Sequence, residues 1–189
     1  MPQSTPATRA DIQQIEDSLY LIALPADLAG FGHFIGAWVY VGDQTVLIDV
    51  GPAASTDRLL SALACIGIRR IDLILLTHIH IDHAGGAGIV SAAFPHATVV
   101  CHPQAAPHLI APRQLWQGSL KTLGPVAQAY GPFDPVPGSR LLTADQLHLS
   151  WITPIATPGH APHHYSYDIR PYLFAGEAEE ALAAGQRAL

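Results

Sequence analysis

Four side chains of cation-binding type fall within six consecutive positions of this sequence. The segment Thr77-His78-Ile79-His80-Ile81-Asp82-His83-Ala84-Gly85-Gly86 carries two histidines two residues apart, then an adjacent aspartate and histidine. It follows the apolar run 71–76, which reads as a strand buried on both faces. In an extended chain, residues two apart project to the same side. His78 and His80 can therefore converge on one ion. Asp82 and His83 come where the chain must leave the strand, and there the two neighbours can diverge toward a second ion. Gly85 and Gly86 let the backbone turn tightly beside them. With eleven histidines and eleven aspartates among 189 residues, an H-x-H-x-D-H pattern arises by chance in roughly 2 of 1000 such chains. The plainer alternative is a cluster of exposed polar residues at a strand end.

A second set of donors lies downstream. Pro158 and Gly159 form a turn signal that presents His160, the third imidazole a three-histidine site needs; alone in a turn it would simply face solvent. Glu177 follows the apolar run 172–175 and Gly176, so its carboxylate at a strand end can bridge two ions. The alternative is a first-turn helix carboxylate that interacts with the helix dipole, together with Glu179 and Glu180. Nitrogen and oxygen donors suit zinc, iron or manganese alike; one or two zinc ions are the default expectation.

No protein nucleophile competes with this reading. There is no G-x-S-x-G, and neither Cys65 nor Cys101 has the basic setting that makes a reactive thiolate. Zinc-bound water titrates near about pH 7, so hydroxide attack on a polarised acyl carbon needs no such group. Asp82 would orient the water and move its proton. His163, His164, Tyr165 and Tyr167 lie just past His160. Each is more simply a packing residue, though one could donate to the leaving group or the oxyanion. His102 and His108 are candidates for lining a pocket, not for ligation.

The elements that must position these residues can be sketched from patterning. Residues 12–24 end in an apolar strand, followed by a glycine-rich stretch with Gly30, Gly32 and Gly36. Two β-rich runs, 38–41 and 45–50, flank Gly42-Asp43-Gln44, which predicts a hairpin. Residues 55–67 predict a helix, with Leu59, Leu60, Leu63 and Ile66 at helical spacing and Ser55 or Thr56 as its cap. A second helix is expected at 87–93 and a buried strand at 97–101. Seven prolines punctuate 103–140, so helix should survive there only in pieces, such as 114–123. That stretch reads either as a surface excursion or as a lid or pocket wall carrying Trp116, Tyr130 and Phe133. Strands are expected at 146–153, with Leu147, Leu149 and Trp151 on one face, then at 165–168 and 172–175, before a helical tail. Helices alternating with strands indicate α/β organisation.

Composition bounds the rest. At 49% hydrophobic and 13% charged, the chain can bury a core and is not a disordered tail. Its length fits a single domain spanning 1–189. Nine basic against fifteen acidic residues give a net charge of −6, which disfavours nucleic acid and anionic membrane as partners. No apolar run is long enough to span a bilayer, and the first ten residues lack signal-peptide order. Two cysteines do not make a disulfide scaffold; both are expected to be reduced and buried, which points weakly to the cytoplasm.

Taken together and in this order, THIHIDHAGG, TPGH and FAGE resemble the metallo-β-lactamase superfamily, over about residues 19–176. The resemblance implies an α/β (α+β) fold, an αββα sandwich with a metal site at one edge. It implies that His78, His80 and His160 ligate a first metal, and Asp82 and His83 a second. Glu177 falls at the bridging position, where most members place Asp. Asp49, in LIDVG, matches an aspartate that supports a ligand, and such a carboxylate fixes a histidine tautomer. A subset of uncharacterised members is similar in writing G-E-A at 176–178, and also in HAPHH and CHPQAAPHLI. Full-length members usually continue further and supply a last histidine to the second metal. This chain ends twelve residues after Glu177. The expectation is a sandwich lacking part of its C-terminal half, with the second ion bound weakly or completed by a homodimer partner. The implied function is a metal-dependent hydrolase, dinuclear in zinc by family analogy, of a small ester, thioester, lactone or amide. The alternatives are a mononuclear iron oxygenase of persulfide-dioxygenase kind, using the three histidines, and an incomplete non-catalytic domain.

Overall fold

The computed structural model describes residues 11–25 and 35–178. The glycine-rich 26–34 segment with Gly30 and Gly32, and the tail expected to be helical with Glu179 and Glu180, lie outside the described residues. The chain opens with a strand pair rather than one strand: β1 (Ile12–Glu16) turns at Asp17 and Ser18 into β2 (Leu19–Ala23). The predicted hairpin forms as β3 (Gly36–Val41) and β4 (Thr45–Ile48), with Val41 opposite Thr45 and Trp38 opposite Ile48. Helix α1 (Thr56–Cys65) follows. Ser55 stands at its N-cap without a side-chain capping bond, while Thr56 Oγ1 donates back to Ala53 O at 2.7 Å. Its buried stripe is Leu59, Ala62 and Leu63. Strand β5 (Leu73–Leu75) is buried on both faces and lies parallel to β4 and to β6 (Thr98–Cys101). Between them run α2 (Ile81–Ala84) and α3 (Ala87–Ala93).

Residues 103–140 hold more helix than their prolines suggest: α4 (Ala106–Ile110), α5 (Arg113–Leu123) and α6 (Pro125–Tyr130). Pro107 and Pro125 sit in first turns and Pro112 at an N-cap. At those positions the missing N–H costs nothing, so proline starts a helix instead of breaking it. Tyr130 and Phe133 are buried, and Trp116 packs on the core. The strand expected at 146–153 is displaced. Pairing occurs instead at β7 (Leu141–Thr143), parallel to β6, and at β8 (Thr153–Ala156). Between them Thr143 and Gln146 close a reciprocal cap around a 3₁₀ turn. Leu147, Leu149 and Trp151 still turn toward the core, but from irregular chain. Strands β9 (Tyr165–Ile169) and β10 (Tyr172–Phe174) complete a second, antiparallel sheet in the order β10-β9-β8.

The first sheet has seven strands in sequence order. Its helix-side face buries Val39, Leu47 and Ile74 against Leu59, Leu63 and Val90. Its other face packs Val46, Ile48, Leu73 and Leu75 against Tyr167, Ile169 and Phe174 of the second sheet. Each such side chain taken from water stabilises by about 1.5–3 kcal/mol. Tyr167 is fully buried and its hydroxyl donates to Leu76 O at 3.0 Å, which ties the two sheets together beside the motif. No helix among the described residues is long and apolar enough to cross a membrane. Cys101 is buried as expected, but Cys65, at the exposed end of α1, is not.

Candidate metal centre

Every residue singled out in the motifs arrives at one edge of the sandwich, each from the C-terminal end of a strand or the turn beyond it. Asp49 follows β4, the 77–83 segment follows β5, His160 follows β8 and Glu177 follows β10. The histidine segment is not a continuing strand. β5 stops at Leu75, His78 to His80 run on without regular structure, and His80 stands extended (φ −63°, ψ 152°) at the N-cap of α2, which carries Asp82 and His83. Gly85 has a helical backbone, not a sharp turn. A Cβ there would lie 2.4 Å from Ile81 O and 3.0 Å from Pro52 Cα, so close approach is what requires glycine.

Three imidazoles and a carboxylate meet. His80 Nδ1 lies 3.1 Å from His78 Nε2 and 2.8 Å from His160 Nε2. Glu177 Oε2 lies 2.7 Å from His160 Nε2 and 3.3 Å from His78 Nε2. One donor atom from each of His78, His80, His160 and Glu177 falls within 4.8 Å of all the others, so this group could hold an ion. Asp82, His83 and Glu177 form a second such group, with His83 Nε2 3.6 Å from Glu177 and 3.9 Å from Asp82. Glu177 belongs to both.

A buried carboxylate organises the cluster from beneath. Asp49, 5% exposed, accepts the Thr77 N–H and O–H at 2.8 Å each and faces His83 Nδ1 at 2.8 Å. Burial opposes its charge, yet His83 above all holds its carboxyl below the usual value. Because ionised Asp49 only accepts, the Thr77 hydroxyl proton points to it. The Thr77 oxygen then accepts from His78 Nδ1–H at 3.0 Å. The hydrogen-bond network thus assigns a lone pair to His78 Nε2, facing the cluster. Burial lowers the His78 pKa to about 4, despite the Glu177 contact. Burial and neighbouring His160 also lower that of His80. His83 goes the other way: its burial is overridden by Asp49, and it rises to about 10. Contacts with His78 and His83 hold the Glu177 carboxyl far below its ordinary range.

Of the four residues considered as extra donors, His164 and Tyr167 are committed to the interior. His164 Nδ1 lies 2.8 Å from Thr157 Oγ1, and its Nε2 accepts the Glu177 backbone N–H at 3.2 Å. It therefore positions Glu177, a role no spacing argument reveals. Tyr165 stacks beside His102 at 5.3 Å between centroids. His163 alone of the four lines the cavity at the cluster. Its Nδ1 is buried with no hydrogen-bond partner among the described residues, and burial lowers its pKa to about 4. That cavity, about 800 Å³, also meets His80, Asp82, His160 and Glu177, and its far wall is α5 and α6, with His108 and Tyr130. A second hollow of about 430 Å³ reaches Asp49 and His83 from the side of Trp38 and Phe174.

Two packed sheets with helices outside, and a histidine–carboxylate cluster where strand ends meet, define a class of α/β proteins built around an edge site. The chain belongs to the metallo-beta-lactamase superfamily, whose sequence profile matches residues 31–188. It is 27% identical over 161 residues to a protein named "Probable metallo-hydrolase" from Methanocaldococcus jannaschii, covering 84% of this chain and 74% of that one. It is 31% identical over 145 residues to the hydroxyacylglutathione hydrolase of Erwinia tasmaniensis, covering 76% of this chain and 45% of the relative. The chain thus spans about half the length of the hydroxyacylglutathione hydrolases it matches. Among solved structures, an archaeal metallo-beta-lactamase superfamily protein from Sulfolobus tokodaii superposes with a TM-score of 0.64 at 24% identity, covering 82% of this chain and 62% of that one. The subclass B3 metallo-beta-lactamase of Bradyrhizobium japonicum gives 0.62 at 25% identity, covering 88% and 58%.

Proposed function

We propose that this chain is a metal-dependent hydrolase of a small ester, thioester, lactone or amide, with zinc as the default metal and iron or manganese as alternatives. One observation carries the reading: donors separated by up to 99 positions in sequence, His78 and Glu177 with His80 and His160 between them, crowd within 4.8 Å of one another. Lone pairs and a carboxylate so placed repel unless protons or a metal cation lie among them, and one metal ion can accept from all four at once. Their closest spacings, 2.7–3.3 Å, approach the roughly 3.3 Å expected of ligands sharing one tetrahedral zinc. The donor set therefore fits. In this reading His78, His80 and His160 hold one ion, Asp82 and His83 a second, and Glu177 stands between them. Ions held there would polarise the substrate carbonyl and bring the pKa of water toward about 7.

The chain's own residues do the rest. Asp49 and Thr77 fix the His78 tautomer, and His164 fixes the Glu177 backbone. Asp82, on the cavity wall, orients the attacking water and accepts its proton. The water oxygen bonds to the acyl carbon, and the bond to the leaving oxygen, sulfur or nitrogen breaks. The leaving group takes up the proton, and His163, facing the same cavity, is placed to hydrogen-bond it. The test is elemental analysis of the purified protein followed by a panel of thioesters, lactones and esters. One or two zinc ions per chain are expected, with turnover abolished by a chelator and by His80→Ala. Turnover indifferent to both overturns the proposal. Iron in place of zinc, with oxygen uptake on a persulfide, would assign the same histidines to an oxygenase instead.

A further inference from the structure

The proposed hydrolysis leaves open what the non-reacting part of the substrate looks like, and the cavity beside the cluster bears on it. Beyond the histidines and acids of the centre, its wall is mostly apolar, with Ile79, Ile81, Leu115, Leu123, Val126 and Tyr130 on it. The polar remainder of that wall is uncharged apart from histidine: Gln114, Ser119 and Thr122 from α5. Among the described residues no lysine or arginine lines it, although α5 carries both Arg113 and Lys121. The acids that do line it are Asp82 and Glu177. Among the described residues, a carboxylate or phosphate on the substrate would find no lysine or arginine side chain on this wall and would meet two carboxylates, Asp82 and Glu177. A volume of about 800 Å³ lies in the range of roughly 300–1,000 Å³ that holds ligands much larger than an acetyl group.

Gly118 sits on this wall in the middle of α5. A Cβ built on it meets nothing within 4 Å. The helix does not need glycine there for its backbone, and no packed neighbour demands the gap. Glycine at this cavity-lining position leaves open space where a side chain would stand.

We propose that this cavity is an acyl pocket for the uncharged apolar chain of an ester or lactone, with Gly118 setting the length of chain admitted. The inference rests on the hydrolase reading for the reactive bond, but not for the pocket itself. Two measurements separate them. The first uses unreactive neutral probes, 2-butanone and 2-octanone, titrated calorimetrically into the protein with and without zinc. Burial of one methylene is worth up to about fourfold in affinity, so 2-octanone, four methylenes longer, is expected to bind at least about tenfold tighter. Gly118→Phe, which projects a ring into the space, should remove that advantage; Gly118→Ala should keep it. Octanoate should bind more weakly than 2-octanone to the zinc-free protein.

The second measurement uses 4-nitrophenyl esters from acetyl to octanoyl on the zinc-loaded protein. The ratio kcat/KM should rise with chain length, and Gly118→Phe should flatten the rise while sparing the acetyl ester. Equal affinity for both ketones, a preference for octanoate, or equal loss on all esters in Gly118→Phe would overturn the pocket. Chain-length-dependent ketone binding without turnover of any ester would uphold the pocket and overturn the hydrolase reading. Turnover indifferent to chain length would do the reverse.

Discussion

Asp49 adopts φ 54°, the sole positive φ among the described residues other than glycine. Such a backbone costs roughly 1–2 kcal/mol and persists only where surrounding contacts over-determine it. Here those contacts are the Thr77 N–H and O–H and the His83 imidazole, so the strain aims one carboxylate under the whole cluster. Removing it in Asp49→Ala leaves a buried N–H without its acceptor, at a cost of about 2–3 kcal/mol. Urea denaturation should show that loss for Asp49→Ala and within about 0.5 kcal/mol of no change for Asp82→Ala, whose side chain is 21% exposed. Equal losses would mean that Asp49 does not organise the site. Gly176 makes a related argument for the FAGE motif. It has φ 57°, and a Cβ there would stand 2.7 Å from His164 Nε2 and 2.9 Å from Thr77 Cβ. Gly176→Ala must therefore displace both His164, which accepts the Glu177 N–H, and Thr77, which faces His78 Nδ1. Zinc affinity by competition titration is expected to fall about 10- to 100-fold, as when supporting residues of metal sites are changed. Unchanged affinity would show that the neighbours relax freely.

At the scale of elements, legibility divides by whether local spacing or a distant partner decides. The β3–β4 hairpin and α1 follow from nearby residues, and both stand close to where the patterning puts them. The segment 146–153 does alternate, and its apolar members do reach the core. Strand identity, however, depends on having an edge to pair with: the edge of β6 away from β5 is taken by Leu141–Thr143, and of the expected segment Thr153 alone enters a strand, β8. Likewise the motif spacing foretells that His78 and His80 approach each other. It cannot foretell that consecutive residues His163 and His164 part company, one to the cavity and one beneath Glu177, because that depends on how β9 enters its sheet. Two element-level outcomes are testable. Gly118→Ala, in the exposed middle of α5, should stabilise the protein by about 1 kcal/mol in urea titration; destabilisation would mean the Cβ meets a neighbour. At the two ends of the α1-to-β6 unit, Cys65 is exposed and Cys101 buried, with burial raising the latter's thiol to about 12 from 9.0. A pKa raised in the folded state favours folding below the unfolded value and loses that contribution as pH climbs. The native protein should thus alkylate at Cys65 alone near neutral pH, and the Cys101 contribution should fade between about pH 9 and 12. Equal labelling of both thiols in the native state would contradict the burial.

For the whole molecule, the decisive point is that the donors come from three separate stretches of chain, at 78–83, 160 and 177. An unfolded chain can offer an ion the local H-x-H-x-D-H run, but it cannot bring His160 and Glu177 to the same place. Metal should accordingly bind the folded state far more tightly than the unfolded one, and linkage turns that difference into stability. At free zinc a thousandfold above Kd the gain is about 4 kcal/mol. For a domain of this size each kcal/mol moves Tm by roughly 2–4 °C, so calorimetry should show a rise of roughly 8–16 °C over the chelated protein. The variant that separates local from assembled binding is His160→Ala. It leaves the run 78–83 intact and should lose most of the shift, because the folded and unfolded states then offer more similar ligand sets. A shift retained in full by His160→Ala would place the ion on the local run alone, and the convergence of distant strands would have no part in holding it.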